Sequence, residues 1–112
     1  APTTLLTSDY ESLVITDMNS VIEWVNADFF EMTGYSTKYA IGKTPRFLQG
    51  ENTSPTTRKR IRKHIKSNKP FKESIINYRK NGEEYTCELT VYPLRTNKGE
   101  TSHFLALERE TI

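Results

Sequence analysis

FKESIINYRK at residues 71–80, NG at 81–82 and EEYTCELTVYPL at 83–94 are two runs rich in β-branched and aromatic side chains, broken by the dipeptide that best supports a tight reversal. They predict a β-hairpin, with Asn81-Gly82 supplying the positive φ angles of its turn. Downstream, Asn97-Lys98-Gly99 is a second turn, leading to a strand over 101–110. Upstream, Ser54-Pro55 starts a helix over 55–67, because Ser accepts from the free N–H groups of a first turn and Pro has none to satisfy. Ile61 and Ile65 give that helix a narrow apolar stripe. Before it, Asn26 is placed to cap a helix over 27–33 that ends at Gly34, and Ser36 a short one over 36–41. The chain opens on strands at 12–17 and 21–25, joined by Asp17-Met18-Asn19-Ser20. Strands at both ends of a helical middle predict an α+β domain over 1–112, a five-stranded antiparallel sheet with helices packed on one face.

Period-two alternation assigns the faces. Tyr85, Cys87, Leu89 and Val91 share one side with Phe104, Ala106 and Glu108; Tyr92, Leu94, Leu105 and Leu107 share the other. Both sides are apolar, so the face away from the helices is expected to dock a flanking helix or a second copy of the chain. Sixteen Lys and Arg against fourteen Asp and Glu leave +2, too near balance for net charge to imply a nucleic-acid or membrane partner. The single cysteine, Cys87, rules out an intrachain disulfide, predicts a cytoplasmic, reducing setting, and leaves no Cys/His cluster for a metal. The sequence carries no run long enough to cross a bilayer, and no export signal is expected.

Gly42-Lys43-Thr44-Pro45-Arg46-Phe47-Leu48-Gln49-Gly50 resembles the GxNCRFLQG signature of the light-oxygen-voltage subgroup of PAS domains. Trp24-Val25-Asn26 and Met32-Thr33-Gly34-Tyr35-Ser36 resemble the strand-to-helix segment of that family, and Asn77-Tyr78-Arg79-Lys80-Asn81-Gly82-Glu83 its NYRKDG hairpin. The resemblance covers roughly residues 10–110 and implies the PAS fold. Carried over position by position, it implies that Arg46 and Arg62 hold the phosphate of a flavin mononucleotide. Gln49 would face the ribityl chain and ring edge, and Asn77 would read the polar edge of the ring. The residue types suit those roles, since guanidinium forks pair with phosphate and amides both donate and accept.

Three positions depart from the family. Pro45 stands where the photoreactive cysteine would be, which removes the ordinary cysteine photocycle. Cys87 stands in place of a second asparagine, and Glu108 in place of a glutamine on the last strand. A carboxyl facing a closed pocket is expected to have its pKa pushed upward by desolvation.

Arg58, Lys59, Arg60, Arg62, Lys63, Lys66 and Lys69 form a basic run, read as a solvated helix face and not as a nucleic-acid site, since no base-reading motif accompanies it. Cys87 alternates with apolar neighbours and is read as core. His64 and His103 lack companions at ligand spacing, and no catalytic motif is present. The expectation is a non-enzymatic regulatory module that relays pocket state or dimer geometry to a C-terminal effector, a histidine kinase or cyclic-di-GMP enzyme. A cofactor-free dimerisation domain and a flavin redox sensor without cysteine chemistry are the alternatives.

Overall fold

A computed structural model describes residues 11–111; residues 1–10 and Ile112, included in the domain range read from the sequence, lie outside the described residues. The elements run β1 (Glu11–Asp17), β2 (Ile22–Val25), α1 (Asp28–Thr33), α2 (Thr37–Ala40), a 3-10 turn (Pro45–Leu48), α3 (Pro55–Ser67), β3 (Phe71–Tyr78), β4 (Glu84–Arg95) and β5 (Thr101–Thr111). The five strands form one antiparallel sheet in the order β2-β1-β5-β4-β3, the PAS fold. The last strand therefore lies in the middle of the sheet, between the first and the fourth.

The hairpin turns differ in detail from the expectation. Strand pairing ends at Tyr78 and resumes at Glu84. Of the Asn81-Gly82 pair only Gly82 has a positive φ, +91°. Gly82 N–H donates to Arg79 O and Arg79 N–H to Glu83 O, both at 2.8 Å, while Asn81 Oδ1 accepts from Glu83 N–H at 2.9 Å. The connection is a four-residue turn closed by a glycine, the bulged alternative to the two-residue form. Thr96 to Gly99 repeats it, with Gly99 at φ +81°.

Ser54 and Ser36 cap their helices, accepting from Thr57 N–H at 3.2 Å and Tyr39 N–H at 3.1 Å. Asn26 does not cap α1. Its amide is committed to β1, Oδ1 accepting from Leu13 N–H at 3.0 Å and Nδ2 donating to Glu11 O at 3.2 Å, so the residue extends the β1–β2 pairing. Gly42 N–H donates to Ile22 O, and Ile22 N–H to Lys43 O, both at 2.8 Å. These bonds cover part of the edge of β2 and bring residues 42–50 back to the inner side of the sheet.

Two further ties hold the roof in place. Thr53 Oγ1 donates to Ile76 O at 2.7 Å and accepts from Gly50 N–H, while Asn52 N–H donates to Tyr78 Oη at 2.8 Å. A side chain at Gly50 would place its Cβ 2.5 Å from the Tyr78 ring. Gly50→Ala is therefore expected to cost about 1–3 kcal/mol by displacing that ring, read as a lower denaturant midpoint. On α3, Arg60 pairs with Glu73 of β3 at 3.1 Å, and His64 lies 3.2 Å from the same carboxylate. The carboxyl of Glu73 is held below its ordinary pKa, first by the Arg60 hydrogen bond. Part of the basic run is thus spent on fixing α3 against the sheet.

The outer face carries an apolar row in strict register. Trp24 pairs with Ile15, Ile15 with Leu105 and Leu105 with Tyr92, crossing β2, β1, β5 and β4. Trp24 and Tyr92 are 45% and 43% exposed, too open for core residues of this size. Leu13 and Leu107 extend the row, and Leu94 sits beside it, half-buried.

Candidate functional site

Inner-face side chains do not fill the space beneath the helices. Val14, Ile22, Val25, Phe29 and Leu48 pack at one end, Met32, Ile75, Tyr85 and Cys87 at another, and Phe71, Val91 and Phe104 at a third. Between them lies a cavity of about 500 Å³, within the range of small-molecule sites. Its floor is the sheet, from Val14 through Phe104, Ala106 and Glu108 to Leu89, Val91, Ile75 and Asn77. Its roof is the segment Thr44 to Gln49 together with Arg58, Ile61, Arg62 and Ile65 of α3.

Five of the six residues expected at a site share this cavity. Arg46, Gln49 and Arg62 come from the roof, and Asn77 and Glu108 from the floor. Cys87 is not in the lining. It is fully enclosed with Met32, Ile75 and Tyr85, and burial drives its thiol pKa far upward, leaving it protonated and weakly nucleophilic.

Arg58 belongs to the cavity although the sequence reading assigned it to the solvated run. Residues 58, 61, 62 and 65 fall at i, i+3, i+4 and i+7 on α3, so Arg58 lies on the face that Ile61 and Ile65 turn inward. That spacing was the available signal. Arg58 Nη1 donates to Gln49 Oε1 at 3.5 Å, and its Nε is buried without a partner.

At the sheet end the polar groups are orphaned in a similar way. Glu108 Oε1 is buried with no hydrogen-bond partner, as is Ser12 Oγ, on the residue paired with Glu108 across β1 and β5. Desolvation pushes the Glu108 carboxyl up to about 7 and holds the Tyr85 phenol protonated. The cavity thus has an apolar body, a cationic roof and a carboxyl floor able to donate when protonated and to accept when ionised. Among the described residues, no group of three or more His, Cys, Asp or Glu is placed to hold a metal ion.

Beside the cavity, Arg79 ties three elements together. Its guanidinium donates to Met32 O at the end of α1, to Glu110 of β5 at 2.7 Å and to Glu83 at 2.6 Å, and lies 4.3 Å from the centre of the Tyr85 ring.

Comparison with known proteins agrees with this architecture. The model of the PAS domain family matches residues 11–111. Phototropin-1A of Oryza sativa is 32% identical over 108 residues, covering 94% of this chain and 12% of the relative. Blue-light-activated histidine kinase 2 of Erythrobacter litoralis is 36% identical over 100 residues, covering 87% of this chain and 29% of the relative. The chain therefore spans less than a third of the length of either. Among solved structures, the light-oxygen-voltage (LOV) domain of an Erythrobacter litoralis blue-light activated histidine kinase superposes with a TM-score of 0.84 at 34% identity, covering 90% of this chain and 95% of that one. The light-state Aureochrome1 LOV structure gives 0.87 at 27% identity, covering 100% and 90%. With its sheet order, its roofed cavity and a family match over nearly its whole length, this chain belongs to the PAS domain family and has light-oxygen-voltage domains among its homologues.

Proposed function

We propose that this chain is the sensory module of a signal-transduction protein, in which the state of the cavity biases docking at the outer face of the sheet and so controls a C-terminal effector. The observation that carries the reading is the position of β5. Its inner face supplies Glu108, Ala106 and Phe104 to the cavity, while its outer face supplies Leu105 and Leu107 to the apolar row. One strand is therefore common to both surfaces, and a ligand that prefers one tilt of β5 shifts the docking equilibrium by its differential affinity, typically ~1–3 kcal/mol. A histidine kinase is the favoured effector, after the blue-light-activated kinases among the relatives, with a cyclic-di-GMP enzyme as alternative. The catalytic parts belong to that effector, in the cytoplasm.

A flavin mononucleotide fits the residues present. The apolar body of the cavity suits the ring, Asn77 and Glu108 its polar edge, Gln49 the chain, and Arg46 and Arg62 the phosphate. When bound, a flavin supplies blue-light absorption and reversible reduction. The protein's own part is to orient the ring, exclude water and pair the anion. In this reading Pro45, which lines the cavity, stands for the family's cysteine, and Cys87 packs with Met32, Ile75 and Tyr85, so the reading takes the form of redox sensing without cysteine photochemistry. The cofactor-free alternative, a pocket filled by its own side chains, is weakened by the cavity's volume and by the orphaned atoms around it.

The outer face is assigned to a homodimer, through Tyr92, Leu94, Leu105 and Leu107 with flanking helices. Leu105→Asp puts a charge in the centre of that surface and is expected to weaken self-association tenfold or more, about 1.4 kcal/mol upward. Sedimentation equilibrium checks this, and unchanged association would remove the face from the mechanism.

A further inference from the structure

We propose that Glu108 makes binding in this cavity proton-linked: an uncharged ring that offers a carbonyl oxygen is held on the protonated carboxyl and released as that carboxyl ionises, so the module reads acidity together with its ligand. The inference rests on the flavin reading above and adds a regulatory input to it. Glu108 lines the cavity floor, is 5% exposed and keeps Oε1 without a hydrogen-bond partner. Its cross-strand neighbours are Ser12 on β1, fully enclosed with its own Oγ unpartnered, and Leu89 on β4. Tyr85 and Cys87, also on β4, hold their protons, and Asn77 of β3 carries no charge. Glu110, two residues further along β5, is taken by Arg79. Arg46, Arg58 and Arg62 border the cavity from the roof, and among the described residues none of them pairs with Glu108, whose proton affinity is set by burial alone.

A protonated carboxyl donates a hydrogen bond that a ring carbonyl can accept, whereas an ionised one has only lone pairs to set against that oxygen. A ring filling the cavity also strips solvent from the carboxyl, and desolvation penalises the ionised form further. Both effects act in one direction. Binding therefore raises the Glu108 pKa, and where the free site is ionised each bound ligand brings a proton with it from solvent. The free carboxyl titrates at about 7, so above that value the fraction of sites ready to bind falls by up to about tenfold per pH unit, and the apparent affinity falls with it.

The test is titration of the purified chain with flavin mononucleotide between pH 7 and 9, followed by fluorescence quenching, in the wild type and in Glu108→Gln. The phosphate has largely lost its second proton by pH 7, so its own charge changes little over this range. His64 and His103, outside the cavity lining, are common to both proteins and cancel in the comparison. The wild type is expected to bind at least about tenfold more weakly at pH 9 than at pH 7, while the glutamine variant changes by less than about twofold. Calorimetry at pH 8 in buffers of different ionisation enthalpy should show proton uptake on binding by the wild type and none by the variant. Wild-type affinity that stays level or rises with pH, or that falls equally in both proteins, overturns the proton link although the flavin reading stands. If flavin mononucleotide does not bind the wild type even at pH 7, both are overturned.

Discussion

Glu108→Gln is expected to stabilise the protein progressively as pH rises, by roughly 3 kcal/mol more at pH 8 than at pH 4. Glu108 is enclosed by the sheet and the cavity, and desolvation sets its carboxyl at about 7 against an ordinary 4.5. A raised carboxyl pKa means that the folded state holds the proton more tightly than the unfolded state. Below about 4.5 both states are protonated and the group costs nothing. Between 4.5 and about 7 the unfolded chain ionises first, so folding loses free energy with each step in pH; above 7 the full penalty is present. The neighbouring Tyr85 and Cys87 stay protonated throughout that window. Gln has similar shape and no titration, so the difference between the two proteins isolates the carboxyl from every other ionising group. Urea unfolding over a pH series measures it. Parallel stability curves for wild type and variant would show that Glu108 is not a desolvated acid.

Phe29→Ala is expected to destabilise the domain by about 3–5 kcal/mol, a large part of the stability a domain of this size commands. Phe29 is fully enclosed and packs with Val14, Ile22, Val25 and Leu48. It holds the short helix α1, whose six residues could not persist without tertiary packing. Val14 and Leu48 also line the cavity, so the void left by the ring would open beside the ligand space and not in an inert corner. Phe29→Leu keeps most of the volume and should cost about 1 kcal/mol. Denaturant midpoints with an unchanged slope check both. A loss below 1 kcal/mol for the alanine variant would mean that α1 is not docked on the sheet in this way.

What could be read in advance divides by the range of the interaction involved. Ser54 and Ser36 are visible as caps because a cap is settled within three residues. Asn26 carries the same local signal, yet its amide goes to Leu13 and Glu11, partners that exist only once β1 lies beside it. The hairpin at Asn81-Gly82 was legible as a reversal, but its bulged form depends on how Arg79 and Glu83 pair. Alternation sorted Leu105 from Glu108 correctly by face. It could not show that Trp24 and Ile15 join Tyr92 and Leu105 in one row, because that requires the registers of three strand pairs. In the site, Arg46, Gln49, Arg62 and Asn77 were found through a motif, and all four line the cavity. Cys87 shares their expected role but lies one layer away, among apolar side chains. Arg58 was hidden by its basic neighbours, and only its spacing from Ile61 and Ile65 sets it apart.

The central place of β5 also limits how it can move. It is bonded along both sides, to β1 and to β4, and its side chains alternate between cavity and exterior. A slide of one residue would bring Leu107 into the cavity and turn Glu108 outward, besides breaking two ladders at once. Force along the strand would load those ladders in shear, with all bonds resisting together, so graded sliding is closed to this domain. What remains available is torsion, a twist of the strand about its own axis, with Glu110 and its tie to Arg79 as the point where that torque meets the end of α1.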